Sequence, residues 1–136
     1  MANTVFIGPA ECNPDVSEYA ASEAITPGSV MVVTAGEFAL AAADQAGVNY
    51  FALENILEEV TDAYAIGDTV QGARPKSGEY YELTLAASQT IAKDAALTTD
   101  ASGNLIALGA GANTIAYADE AVTTTGSAGK IRVYVK

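Results

Sequence analysis

Lys130-Ile-Arg-Val-Tyr-Val-Lys136 decides how this chain is to be read. Ile131, Val133 and Val135 alternate with Arg132, Tyr134 and Lys136, so a strand over 130 to 135 turns an apolar side to a core and a polar side to water. Working back from it, short β-prone runs cut by turn residues continue as far as Ile25. The runs are Ser29 to Thr34, Phe38 to Ala41, Asn49 to Leu53, Thr69 to Ala73, Tyr80 to Leu85, Leu97 to Thr99, Leu105 to Ala107 and Thr114 to Ala118. Turn residues separate them at Ala35-Gly36, Asp44 to Gly47, Arg74 to Gly78, Asp100 to Asn104 and Gly126 to Gly129. This spacing predicts an all-β (mainly β) chain, a small β-sandwich or barrel-like domain over residues 25 to 136.

One stretch carries two periods. Tyr50, Leu53, Ile56, Leu57 and Val60 recur at helical spacing, yet Asn49-Tyr50-Phe51 is strand-prone. A strand to about Leu53 is expected there, then a turn of helix or a loop, so the chain holds at most one short helix. An internal echo aligns Ile25 to Leu40 with Ile91 to Leu108: an apolar residue, a turn, a strand, a Gly-containing hairpin and a second strand. Ile66-Gly-Asp-Thr-Val70 repeats only the opening. Duplication and the common grammar of hairpins both account for it.

Residues 1 to 24 differ from the rest, being small, polar and acidic, with Gly8, Pro9 and Pro14 interrupting any long element. They read as an extended N-terminal arm. Its one run of three large apolar residues, Val5-Phe6-Ile7, is the expected anchor on a partner. The opening, MANTVFIGPAECNP, lacks the basic and apolar regions of a secretory signal. No run approaches the roughly 20 apolar residues of a membrane span. Synthesis in a cytosol and no membrane partner are the expectations.

Large apolar side chains are scarce: 11 Val, 8 Ile, 8 Leu and 3 Phe among 136 residues, against 28 Ala. A thin core follows, and self-association would add burial. Charge is lopsided, because residues 1 to 73 hold 11 acids and no base, whereas 74 to 136 hold the other 6 acids and all 6 bases. Such a surface opposes direct nucleic-acid binding. It serves as a solvated acidic face or meets a basic protein surface.

The residue inventory also limits chemistry. With no His and one Cys, the common zinc sets, Ser-His-Asp and Cys-His machinery and a disulfide framework cannot be built within one chain. Cys12 reads as a small free thiol. Glu58-Glu59 and Asp119-Glu120 read as surface acids, since neighbouring residues do not face one cleft. Asp100-Ala-Ser-Gly-Asn has too few carboxylates for a calcium loop, and Gly109-Ala-Gly111 is too short to cradle phosphate. No metal, cofactor or catalytic residue is expected. The tyrosines at 19, 50, 64, 80, 81, 117 and 134 suit packing and protein interfaces, with sugar stacking the alternative. Tyr19, Tyr50, Tyr80 and Tyr81 join Val5, Phe6 and Ile7 as candidate contact residues.

Ala-Tyr-Ala-Ile-Gly-Asp-Thr-Val (63 to 70), Gly78-Glu-Tyr-Tyr, the run from Thr90 to Leu105, Ile115-Ala-Tyr-Ala and the Gly-flanked last strand follow one another in an order that resembles the capsid decoration (cement) proteins of tailed bacteriophages. The resemblance spans roughly residues 25 to 136. It implies a small β-rich domain without enzymatic activity, a homotrimer, and attachment to the major capsid protein on the outside of an icosahedral shell. An extended N-terminal arm matches the family's habit, whereas the acidic insert around Asn55 to Asp62 departs from its simplest members. A carbohydrate-binding or adhesin-like β-domain on a virion surface is the rival, distinguished by a cleft lined by Tyr50, Tyr80 or Tyr81 with nearby Asp and Asn.

Overall fold

In the computed structural model, residues 4–10, 13–55, 59–110 and 112–136 are described, and every regular element among them is a strand. In chain order these are β1 (Phe6–Gly8), β2 (Asp15–Ala20), β3 (Val30–Thr34), β4 (Glu37–Leu40), β5 (Tyr50–Ala52), β6 (Thr69–Arg74), β7 (Tyr80–Leu85), β8 (Thr90–Ile91), β9 (Ala96–Thr99), β10 (Leu105–Ala107), β11 (Ala116–Ala118), β12 (Val122–Thr123) and β13 (Gly129–Tyr134). The all-β expectation holds; the nine strands β3–β7, β9–β11 and β13 agree with the expected runs to within two residues, whereas β1, β2, β8 and β12 were not expected. Ile56, Leu57 and Glu58 lie outside the described residues, as do Cys12 and Gly111.

Strands β7, β10, β9, β11 and β13 close into a five-stranded barrel, because β13 pairs with β7 over six residue pairs from Gly129↔Leu85 to Tyr134↔Tyr80. Strand β1 joins the other edge of β7 at Tyr80 and Tyr81, beyond the point where β10 meets Leu85. A second sheet has the order β2-β6-β5-β3-β4, and a single parallel bridge, Ala21↔Phe38, draws its ends together. Strands β8 and β12 form a short ribbon. The segment expected as an arm therefore lies along the domain itself: β2 pairs with β6 at six positions, and Val5 accepts the amide of Glu82 at 2.7 Å.

Side-chain alternation divides the apolar residues between two cores. Met31, Phe38, Ala52 and Val70 face inward within the second sheet, where Ala21, Ile25 and Tyr64 complete a small cluster. Val30, Phe51 and Ala73 lie on the opposite face of those strands and join Tyr81, Leu83, Leu97, Leu105, Ile131 and Val133 of the barrel in the main core. One sheet thus supplies both its own filling and a wall of its neighbour, which is how a chain with few large apolar residues closes two cores. In the last strand Ile131 and Val133 are buried and Arg132 is exposed, as the alternation predicts.

The internal echo has a structural counterpart. After Ile25, Tyr64 and Ile91 the chain makes the same turn, closed by amide-to-carbonyl bonds Ser29→Thr26, Asp68→Ala65 and Ala95→Ala92 at 3.0 to 3.2 Å. The third residue of each turn is left-handed: Gly28 (φ 92°), Gly67 (φ 89°) and Asp94 (φ 66°). That is the position where a type II turn requires positive φ, and glycine fills two of the three.

Candidate interaction surfaces

The expected contact residues separate into buried and available ones. Val5 is buried in the main core, with its amide donating to Glu54 Oε2 at 2.9 Å. Phe6 stands edge-on to the buried ring of Tyr81, their centroids 5.4 Å apart. Of the expected anchor only Ile7 remains exposed. Tyr81 is a core residue: its ring meets Phe51 at 4.8 Å and its hydroxyl donates to the buried Glu79. Desolvation and the Glu79 carboxylate together push its pKa far above the ordinary tyrosine value.

Tyr80 takes the outward position beside Tyr81 and begins a row. The register Tyr80↔Tyr134↔Tyr117 runs across β7, β13 and β11, with centroid separations of 6.1 and 5.7 Å, and Lys136 Nζ lies 5.2 Å from the Tyr117 centroid. Tyr117 and Tyr134 are stacked with 18° between planes, so ring faces that could receive a sugar are turned on one another. Beside the row, Asp119 receives Arg132 Nε at 2.7 Å and Lys93 Nζ at 3.4 Å. The Arg132 bond, more than Lys93, holds its carboxyl below the usual range. Tyr134 donates to Asp94 at 2.9 Å, which raises its pKa.

Tyr19 and Tyr50 belong to the second sheet, flanking Phe38 edge-on at 5.1 and 5.2 Å. Tyr50, Tyr80 and Tyr81 therefore share no cleft: one lines a groove, one is on the outer face of the barrel, one is inside it. Tyr50 lines its groove with Asn49 in the wall of the one beside it, which is the part of the carbohydrate-binding expectation that the structure forms.

Several acids of the first half brace the backbone. Glu23, Asp62 and Asp68 accept backbone amides at 2.8 to 3.0 Å, and Asp44 accepts that of Asn113. Among the described residues no group of three or more Cys, Asp or Glu could hold a metal ion, and no helix is long and apolar enough to cross a membrane.

Sequence reasoning missed one feature, a groove in the second sheet. Strand β5 pairs with β3 only at Phe51↔Val30 and Tyr50↔Met31, whereas β3 runs on to Thr34. Residues 45–49, which lead into β5, do not continue the ladder, and a groove of about 380 Å³ opens beside Val32, Val33, Val48, Tyr50 and Arg74. It adjoins a second of about 220 Å³ bounded by Asn49, Pro75, Thr114 and Ile115, with Val48 and Arg74 between the two. The turn residues Asp44 (φ 52°) and Gly47 (φ 86°) are the local signal that the strand starts late.

No family model matches the chain, and no curated protein matches it. Among solved structures it is similar to the head fiber gp8.5 N base of bacteriophage phi29, at a TM-score of 0.64 and 14% identity, covering 90% of this chain and 93% of that one. At that identity the likeness is one of fold, and it extends over nearly the whole of both chains.

Proposed function

We propose that this chain is a structural protein of a bacteriophage virion, seated on the outside of the head, where it binds the major capsid protein and cements adjacent capsomers. The observation that carries the proposal is the likeness of fold, over nearly the whole of both chains, to a phage head fiber base. The cement-protein resemblance of the sequence, drawn from different evidence, points to the same location. A contact function also suits the residues available: no catalytic pair was found in the sequence, while Ile7, Val33, Val48 and Tyr80 are exposed on a β scaffold.

Self-association belongs to the same proposal. Copies joined as a homotrimer would add burial to a chain poor in large apolar residues, and a shell multiplies a modest contact by its symmetry. The host cytoplasm is the place of synthesis and the outer capsid surface the destination. Neither nucleic acid, membrane nor cofactor has a part in it.

Rebinding tests the proposal. Heads stripped of the protein and mixed with the purified chain should carry it through a sucrose gradient at a fixed number of copies per head, and should then resist heat or chelation better. A chain that stays at the top of the gradient would refute it. Light scattering of the free and head-eluted protein reads the trimer.

A further inference from the structure

The groove beside β3 has the attributes of a vacant strand position. Strands β3 and β4 form a hairpin whose two turn residues, Ala35 (φ 52°) and Gly36 (φ 80°), are both left-handed, as a two-residue type I′ turn requires. In such a hairpin the residues flanking the turn, Thr34 and Glu37, form the hydrogen-bonded pair. Alternation then makes Val33↔Phe38 a non-bonded pair, so the N–H and C=O of Val33 point away from β4. On that side β5 has already ended, and no backbone bond to Val33 occurs among the described residues.

Two polar groups line this groove and the one that adjoins it. Arg74 lines both grooves and is the first base after 11 acids, yet its guanidinium makes no ion pair, hydrogen bond or ring contact among the described residues. The other five bases all have such a partner. Asn49 Oδ1, in the wall of the adjoining groove, is buried without a hydrogen-bond donor. Between these groups Val33 and Val48 are exposed, Val48 at 54%.

We propose that this groove takes an extended, carboxylate-bearing segment of the shell protein, which adds as a strand at the free edge of β3 and places its carboxylate on Arg74. Backbone bonds at Val33 would give the segment its direction, and contact with Val48 a preference for apolar side chains at alternate positions. The guanidinium would select the acid. Charge complementarity chooses the occupant: an anionic segment is opposed by the rest of this acidic half and welcomed only at Arg74. The shell as its source rests on the virion role proposed above.

Two experiments judge this separately. The first titrates the ¹⁵N-labelled protein with acetyl-Val-Thr-Val-Asp-Val-amide and with the same peptide carrying Asn for Asp. Saturable shifts should centre on Val33, Val48 and Arg74, with the carboxamide peptide about two- to fivefold weaker, the size of one exposed charge pair. Arg74→Gln should bind both peptides alike and Arg74→Lys should keep the difference, unchanged shifts elsewhere certifying the fold. Scattered shifts, or equal affinities for the two peptides, would overturn the groove as an acid-selective strand site. The second places photoreactive benzoylphenylalanine at position 48 in intact particles. An adduct with the major capsid protein is expected. An adduct only with a second copy of this chain would overturn the shell as occupant, and absence of the chain from particles would instead refute the virion role, leaving the titration to judge the groove.

Discussion

The Tyr81 hydroxyl donates to Glu79 Oε1 at 2.8 Å inside the protein, and the same oxygen accepts the amide of Lys76 at 2.8 Å. Glu79 is 3% exposed and Tyr81 fully buried. Two donors converge on one oxygen of the carboxylate, while Oε2 is buried without a partner, so these two bonds offset only part of the cost of burying it. The pair fixes the turn before β7 to the first residue of that strand's buried face, and β7 is the strand shared by β1, β10 and β13.

Removing either partner should therefore destabilise the fold unequally. Glu79→Ala leaves a buried hydroxyl and an amide without acceptors, for about 1–3 kcal/mol, whereas Tyr81→Phe removes one donor and costs about 1 kcal/mol. Urea denaturation of the two variants gives the comparison. A Tyr81→Phe loss exceeding that of Glu79→Ala would mean that the buried carboxylate deprived of a donor costs more than the donors deprived of the carboxylate.

Tyr81 also sets an alkaline limit. Its folded pKa is raised above the unfolded value of about 10, so its contribution is fully present below pH 10. Above that the unfolded chain loses the proton first and stability falls with rising pH. Denaturation midpoints measured from pH 8 to 11 should decline beyond pH 10, and Tyr81→Phe should flatten the decline.

Asp119 acts with the opposite sign. Its carboxyl is held low by Arg132 and then Lys93, so its contribution is present above the unfolded carboxylate value and is lost as pH falls through the lower folded one. Asp119→Asn should remove that part of the acid sensitivity below about pH 4. The effect is small because Arg132 and Lys93 are exposed, and salt should diminish it.

Glycine substitutions separate conformation from space. Gly36 (φ +80°) faces open solvent, so Gly36→Ala should cost only the left-handed penalty, about 1–2 kcal/mol. Gly103 (φ +74°) should cost more, because an added Cβ would stand 2.7 Å from the Val30 carbonyl oxygen. At Gly72 the obstacle is a side chain, Phe38 Cζ at 2.6 Å. Gly72→Ala should lose about 1–3 kcal/mol by overpacking, and Phe38→Leu in the same chain should restore part of it. Additive losses would mean that the two do not touch.

The arm makes the last of these predictions. Deleting residues 2 to 10 removes β1 and the buried Val5, whose burial is worth roughly 1.5–3 kcal/mol, so the truncated protein should melt earlier even without any partner. An unchanged melting temperature would mean that this segment adds nothing to the free domain.

Strands with a buried face were legible in the sequence; strands without one were not. Tyr80 to Leu85 and Leu105 to Ala107 agree residue for residue, the first marked by alternating buried side chains and the second by a short apolar run after a turn. Asp15–Ala20 has no buried residue along its length and is held by its register against β6, which leaves no periodic trace in composition. The ribbon strands β8 and β12 are two residues each, too short for any period. Burial of Val5 and Tyr81 rather than exposure followed from pairings made by distant strands. The groove depends on where β5 begins, a local property of residues 45–49 that becomes an open edge only once β3 is seen to continue past it.

The central claim is a place on the outside of a phage head, and a cryo-electron microscopy reconstruction of the intact particles that carry this chain tests it most directly. Density fitting the closed barrel and its companion sheet should stand on the outer surface of the shell at symmetry-related positions. Purified particles with that surface bare, or with the chain found only inside the shell, would contradict it.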